Sequence, residues 1–349
     1  MAKIAVIPGD GIGADVMRQA VKILESLAEQ TRTGFDIAQF DLGAERYLRT
    51  GVAITEEEFE QLAAHDAILL GAMGDSRVAD NAHARAILLG MRFRFDLYIN
   101  LRPVRLLDAR LSPLKNVRPE DVDLVIVREN TEGIYLGLGG VFKQGTADEV
   151  AIEEDINTRK GVERIIRAAF EYARREKRRK VTLTDKANAM QHAGQLWRRV
   201  FRQVASEFPD IPTSAVYIDA LALELVRRPA DYDVIVAPNL FGDILSDLAA
   251  ALAGGLGMAP SANLHPGKPG LYEPVHGSAP DLVGTGKANP LAAIMTVALM
   301  LRQIDESEAA DRVERAVEAA IASGNTTPDL GGRMSCDEVG DWIAAQLEK

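Results

Sequence analysis

The chain has 349 residues, 47% of them hydrophobic, enough to bury a sizeable core and to favour two lobes over one. Forty basic against 51 acidic side chains leave a formal charge of -11, which argues against a general nucleic-acid surface and for a small partner. A single cysteine, Cys336, excludes an intrachain disulfide and a cysteine zinc site and fits a reducing cytoplasm.

The opening run Met1-Ala2-Lys3-Ile4-Ala5-Val6-Ile7-Pro8 is too short an apolar stretch for a signal peptide and reads as a first strand. Gly9-Asp10-Gly11-Ile12-Gly13 follows it, where a helix should open. Its G-x-G-x-G spacing differs from the G-x-G-x-x-G of a dinucleotide fingerprint, so it reads as a tight strand-to-helix turn whose backbone N–H groups could still meet a ligand. Strand-like runs recur at Phe35 to Phe40, Ala67 to Leu70, Leu124 to Val127, Val181 to Leu183, Ala215 to Ile218 and Val234 to Ala237. Helical patterns separate most of them, as at Ala14 to Gln30, Thr158 to Glu176 and Asn188 to Glu207, and Thr55-Glu56-Glu57-Glu58 has capping-box spacing. This alternation predicts an α/β architecture with a largely parallel sheet. Six of the seven residues from Arg174 to Lys180 are basic, but no aromatics interleave and a helix should end there. They read as cations at a helix C-terminus, with no nucleic-acid role. The apolar stretch from Leu291 to Leu301 is too short to span a bilayer and reads as a buried helix.

The stretch from Asn239 to Asn263 carries the chemistry most clearly. Asp243 and Asp247 stand four residues apart in a predicted helix that leads into Gly254-Gly255-Leu256-Gly257. Positions i and i+4 share a helical face, so the two carboxylates project together, and hard oxygen donors favour magnesium or manganese over zinc. The apolar neighbours Phe241, Ile244, Leu245 and Leu248 suggest a helix packed into the molecule. Arginines gather at Arg92, Arg94 and Arg102, and Arg128 closes a predicted strand; their forks match carboxylate oxygens two to two. Lys186, directly after a strand, is a candidate base, and Asp219, at the end of another, is a candidate third metal carboxylate. Taken one at a time, each is equally a solvated strand-end or helix-face residue.

Together these segments resemble the β-decarboxylating (isocitrate/isopropylmalate) dehydrogenase family, from Gly9-Asp10-Gly11-Ile12-Gly13 through Glu273-Pro274-Val275-His276-Gly277-Ser278-Ala279-Pro280-Asp281 to Ala288-Asn289-Pro290. The resemblance implies two α/β lobes on a continuous mixed sheet, not a Rossmann domain: residues 1–97 with 254–349 as the cofactor-side lobe, and 98–253 as the second lobe with the dimer interface and catalytic groups. It implies a homodimer whose active site takes a lysine and an aspartate from the partner. It also implies that Arg92, Arg102 and Arg128 hold the carboxylates of a malate-type acid. Asp243 and Asp247, with Asp219 from the other subunit, would hold Mg2+ or Mn2+. Lys186 from the other subunit would take the hydroxyl proton, and Tyr135 would return one to C3. Glu273, His276, Gly277, Ser278, Ala279, Asp281 and Asn289 match the cofactor loop, and an aspartate near the ribose implies NAD rather than NADP.

Substrate choice falls to Arg85, Leu88, Leu89 and Arg92, at i, i+3, i+4 and i+7 of a helix. The leucine pair matches the one that accommodates an isopropyl group, which points to 3-isopropylmalate and leucine biosynthesis. Arg85 stands where such enzymes carry glutamate and could pair a distal carboxylate, and the run Arg128 to Gly133, with Tyr98-Ile99-Asn100, resembles the tartrate, D-malate and homoisocitrate branches; tartrate or D-malate is the runner-up substrate, followed by homoisocitrate or isocitrate. A non-catalytic regulatory subunit would have lost the groups retained here, and a pure nucleotide-binding module would not need them.

Overall fold

A computed structural model describes residues 1–30 and 34–347 of the chain. They form two compact units, one of residues 1–30, 34–97, 105–119 and 250–347, the other of residues 98–104 and 120–249. Compared with the expected second lobe 98–253, residues 105–119 and 250–253 fall in the first unit. The strands, in chain order, are β1 (Ala2–Ile7), β2 (Phe35–Gln39), β3 (Ala67–Leu70), β4 (Ile99–Arg105), β5 (Asp123–Glu129), β6 (Gly139–Phe142), β7 (Val150–Glu153), β8 (Val181–Asp185), β9 (Thr213–Tyr217), β10 (Val234–Ala237), β11 (Pro260–Leu264) and β12 (Gly270–Pro274).

In the first unit the strand order is β2-β1-β3-β12-β11. β1 runs parallel to β2 and β3, β12 parallel to β3, and β11 antiparallel to β12, so the sheet is mixed. Ile4 to Ile7 and Ala67 to Leu70 are fully buried, as continuous apolar runs must be when helices cover both faces. The helix Gly13–Gln30 buries Val16, Met17, Ala20, Ile23, Leu24 and Leu27, a stripe at helical spacing. Thr55 Oγ1 accepts from Glu58 N at 3.2 Å while Glu58 Oε2 accepts from Thr55 N at 2.8 Å, forming the expected capping box of the helix Glu56–Ala63. Leu291–Gln303 is the expected buried helix. Among the described residues no helix is long and apolar enough to cross a membrane.

In the second unit the order is β4-β5-β10-β8-β9, with β5, β10, β8 and β9 mutually parallel. β6 and β7 pair separately as an antiparallel hairpin that leaves Leu138, Val141, Phe142, Val150 and Ile152 exposed. Three details correct the sequence reading. Asp219 does not end a strand; β9 stops at Tyr217, and Asp219 sits in the first turn of the helix Ile218–Arg227, where a carboxylate suits the positive end of the dipole. Arg128 lies inside β5 rather than closing it. Ile244 is exposed, so the helix Asn239–Leu252 buries Leu245, Ala249 and Ala250 without packing on every apolar side. The basic cluster is largely occupied by ion pairs, Arg174 with Asp210 and Arg178 with Asp123 and Asp233, as a solvated helix end would be.

Candidate active site

The helix Asn239–Leu252 and strands β4 and β5 assemble one polar cluster inside the second unit. Asn239, Asp243, Ser246 and Asp247 stand at i, i+4, i+7 and i+8 and so share a helical face. Arg128, 2% exposed, donates from Nε and Nη2 to Asn239 Oδ1 at 3.0 and 2.8 Å and from Nη1 to Asp243 Oδ1. Arg102 Nε donates to Asn100 Oδ1 at 2.9 Å, and its Nη1 donates to Ser246 Oγ at 2.5 Å. That nitrogen also lies 3.2 Å from Asp243 Oδ1 and 3.6 Å from Asp247 Oδ1. Tyr135 donates its hydroxyl to Asp243 Oδ2 at 2.6 Å, and the Arg128 guanidinium lies 5.0 Å from its ring centre. A Cβ at Gly242 would sit 2.6 Å from Arg128 Cγ, so only glycine lets the helix approach β5 this closely.

Burial and the Asp243 carboxylate raise the pKa of Tyr135 above the ordinary phenol range, which keeps its proton in place. Asp247 is also shifted upward, by burial first and by Asp243, against the opposing pull of Arg102 and Arg128. The two carboxylates thus converge on a cation already, the Arg102 guanidinium, and their oxygens are of the type that binds hard divalent ions. Among the described residues, no group of three or more His, Cys, Asp or Glu side chains that could hold a metal ion assembles. Asp219 instead accepts from Lys186 Nζ at 2.5 Å, and this bond lowers its pKa. Lys186 also lines a small cavity with Ile134, Met190, Trp197, Leu240 and Phe241.

In the first unit the segment expected to select the substrate is not a regular helix. Arg85–Leu89 forms a π-helical turn, followed by the α-helix Gly90–Arg94. The wider turn disrupts the i, i+3, i+4 register that would place Arg85, Leu88, Leu89 and Arg92 on one face. Arg85 is exposed, Leu88 and Leu89 are half-buried, and Leu88 packs against the core that contains Ile87, Met91 and Phe95. Arg92 is buried; its Nη2 donates to Glu273 Oε1 at 2.9 Å, and its Nε has no hydrogen-bond partner among the described residues. Asn263 Nδ2 donates to the same Glu273 oxygen at 3.0 Å.

The loop from His276 to Asp281 docks on the glycine turn through Ser278, whose carbonyl accepts from Ile12 N at 2.9 Å. Gly277 is exposed, and Ala279 holds a left-handed conformation at φ 36°. His276 Nε2 is buried without a hydrogen-bond partner among the described residues, and burial lowers the ring's pKa. Asp281 is exposed in the short 3-10 turn Pro280–Leu282, whose N-cap is Ala279, so it is not a capping residue. An orphaned buried imidazole nitrogen in a loop that also presents an exposed carboxylate is compatible with a polar ligand such as a dinucleotide. Asn289 is engaged at both ends, accepting from Leu291 N at 2.9 Å and donating to Asp329 Oδ2 at 2.9 Å.

Sequence reasoning assigned no role to Asn239, Ser246 or Asn100, the side chains that orient the arginines. The signal was present: Asn239 and Ser246 share the helical face of the aspartates, and Asn100 precedes Arg102 by two, on the same face of β4.

Buried arginines facing paired carboxylates on an α/β scaffold are the equipment of an enzyme acting on a small acidic substrate. The comparisons narrow this to an oxidoreductase. Residues 3–343 match the isocitrate/isopropylmalate dehydrogenase family model, and the chain belongs to that family. A 3-isopropylmalate dehydrogenase of Thermobifida fusca is 44% identical, covering 99% of this chain and 97% of its own. One from Corynebacterium jeikeium is 47% identical over 99% and 100%. A crystal structure of isocitrate dehydrogenase from Methylococcus capsulatus is 38% identical, with a TM-score of 0.90 and full coverage of both chains.

Proposed function

We propose that this chain is an NAD-dependent, divalent-metal-dependent dehydrogenase that oxidatively decarboxylates a malate-type 2-hydroxy acid, with 3-isopropylmalate as substrate and 4-methyl-2-oxopentanoate as product. The reading rests on one observation above others: Arg102, Arg128 and Tyr135 converge on Asp243. Relatives carrying the 3-isopropylmalate dehydrogenase name over nearly their full length support the substrate, and with it a cytoplasmic role in leucine biosynthesis.

In this reading Arg102 and Arg128 bind substrate carboxylates in the second unit, and Arg92 supplies a buried donor in the first. Asp243 and Asp247, joined by Asp219 of the partner subunit, would hold Mg2+ or Mn2+. Such an ion supplies Lewis-acid polarisation of the C2 oxygen, useful both for hydride departure and for loss of carbon dioxide. Lys186 of the partner subunit receives the hydroxyl proton. Tyr135, kept protonated by burial, delivers a proton to C3. The loop from His276 to Asp281 holds NAD, and the exposed Asp281 carboxylate disfavours a 2'-phosphate. A homodimer is supported by the apolar side chains left exposed on the β6–β7 hairpin and by Leu223 and Val226 on Ile218–Arg227.

The test compares kcat/KM for 3-isopropylmalate, D-malate, tartrate, isocitrate and homoisocitrate with NAD and magnesium. Preference for 3-isopropylmalate supports the reading. Preference for a tricarboxylate would transfer selection from the leucines to Arg85, and activity on none would leave a non-catalytic subunit.

A further inference from the structure

We infer that His83 is a positioning residue of this enzyme: through the Asp10 carboxylate it holds the substrate-side segment Arg85–Arg92 and the cofactor-side turn Gly9–Gly13 in fixed register. The inference rests on the functional reading above. His83 is fully buried, and its Nε2 lies 2.7 Å from Asp10 Oδ2. Its Nδ1 is buried with no hydrogen-bond partner among the described residues. A proton there would be an orphaned donor, so the proton sits on Nε2 and is donated to Asp10.

Asp10 is a junction. Its Oδ1 accepts from Ala44 N at 2.6 Å, where the helix Ala44–Thr50 begins, and its Oδ2 also accepts from Gly74 N at 2.8 Å. Tyr47, from that same helix, stacks on the His83 ring with centroids 6.0 Å apart. On the other side, Asp10 N donates to Ala72 O at 2.7 Å, and Ile12 N donates to Ser278 O of the candidate cofactor loop. Gly11, at φ 55°, lies so close to that loop that an added Cβ would stand 2.1 Å from Ser278 O. The link therefore runs without interruption from Ser278 through Ile12 and Asp10 to His83, two residues before Arg85.

The segment held by His83 needs such a tie. Asp80 and Asn81 immediately upstream both adopt left-handed φ, 52° and 49°, and Arg85–Leu89 immediately downstream is a π-helical turn. Non-glycine residues in that region persist where the surroundings over-determine them. The His83–Asp10 bond is placed to do this, and Asn81 Oδ1 adds a second tie by accepting from Asp75 N at 2.9 Å.

The experiment compares His83→Asn, too short to reach Asp10, with His83→Gln, whose side-chain amide can replace the Nε2 donor. Calorimetry gives Kd for NAD without substrate, and steady-state kinetics give kcat and KM for the best malate-type acid. His83→Asn is expected to raise both Kd and KM about tenfold with kcat within about threefold, and His83→Gln to stay within about twofold of native. A lowered Tm with native Kd and KM in His83→Asn overturns the inference, as does a His83→Gln enzyme as weak as His83→Asn. If His83→Asn does not fold, Asp10→Asn must show the same paired rise; failure of both to fold makes the pair purely structural and overturns it too. A native protein that binds no NAD, or oxidises no malate-type acid, contradicts the functional reading instead, whereas the ratio of variant to native judges His83.

Discussion

The polar cluster of the second unit and the Arg85–Arg92 segment of the first are built in opposite ways. In the cluster, every arginine fork is held by short side chains from regular elements: Asn100 and Ser246 for Arg102, Asn239 and Asp243 for Arg128. Geometry fixed by strands and a regular helix suits steps that must be reproduced to a fraction of an ångström. The segment uses a π turn, half-buried leucines and an exposed arginine. A wider, partly exposed turn tolerates side-chain exchange, which suits selection among substrates that share one chemistry. The difference teaches that one chain can build a polar cluster on regular elements and a partly exposed segment on an irregular turn, and under the proposed function the second is where selection among acids would fall.

The comparison breaks most severely at Asp243. Asp243→Asn removes the charge that faces both arginines and the tyrosine, and kcat/KM should fall about 10³-fold for every acid tested, corresponding to about 4 kcal/mol. A loss confined to one acid would assign Asp243 to selection. Next comes Tyr135→Phe, expected to cost about 10²-fold in kcat, with the loss at the protonation of C3 that follows carbon dioxide release, so that no β-keto acid builds up in quenched reactions. Because burial and the Asp243 carboxylate raise the tyrosine pKa, its proton is retained beyond the ordinary phenol range, so any alkaline limb in the native rate that Tyr135→Phe abolishes should lie above that range.

Smaller effects are expected in the first unit. Asp281→Arg should shift the NAD/NADP preference by about tenfold or more, about 1.4 kcal/mol, without changing the order of preferred acids. Replacing Leu88 and Leu89 together by alanine should lower kcat/KM for 3-isopropylmalate about 10- to 30-fold, given about 2 kcal/mol for three apolar carbons, and leave D-malate nearly unchanged. An equal loss on both acids would show that Leu88 serves the core it packs against rather than the substrate.

Much of this was legible beforehand, for reasons that differ by element. The parallel strands β1, β3, β5 and β10 show as short apolar runs because burial on both faces demands it, whereas the half-exposed β2 and β9 show by their branched and aromatic residues, and the helix Leu291–Gln303 shows by its apolar length. The Asp243 and Asp247 pair followed from helical period alone. β4, β11 and β12 escaped because their polar members, Asn100, Arg102, Ser261, Asn263 and Glu273, interrupt the apolar pattern that marks a strand. The π turn at Arg85–Leu89 was equally hidden, since its composition suits an α-helix. Asp219 was misplaced by two residues because a strand leads directly into a helix there without a capping side chain.

The most direct test of the central claim counts products. With 3-isopropylmalate, NAD and magnesium, the enzyme should release carbon dioxide and NADH in equal amounts, and both should vanish with a chelator and return with added Mg2+ or Mn2+. NADH formed without carbon dioxide, or undiminished by the chelator, would contradict the account built on Asp243, Asp247 and their arginines.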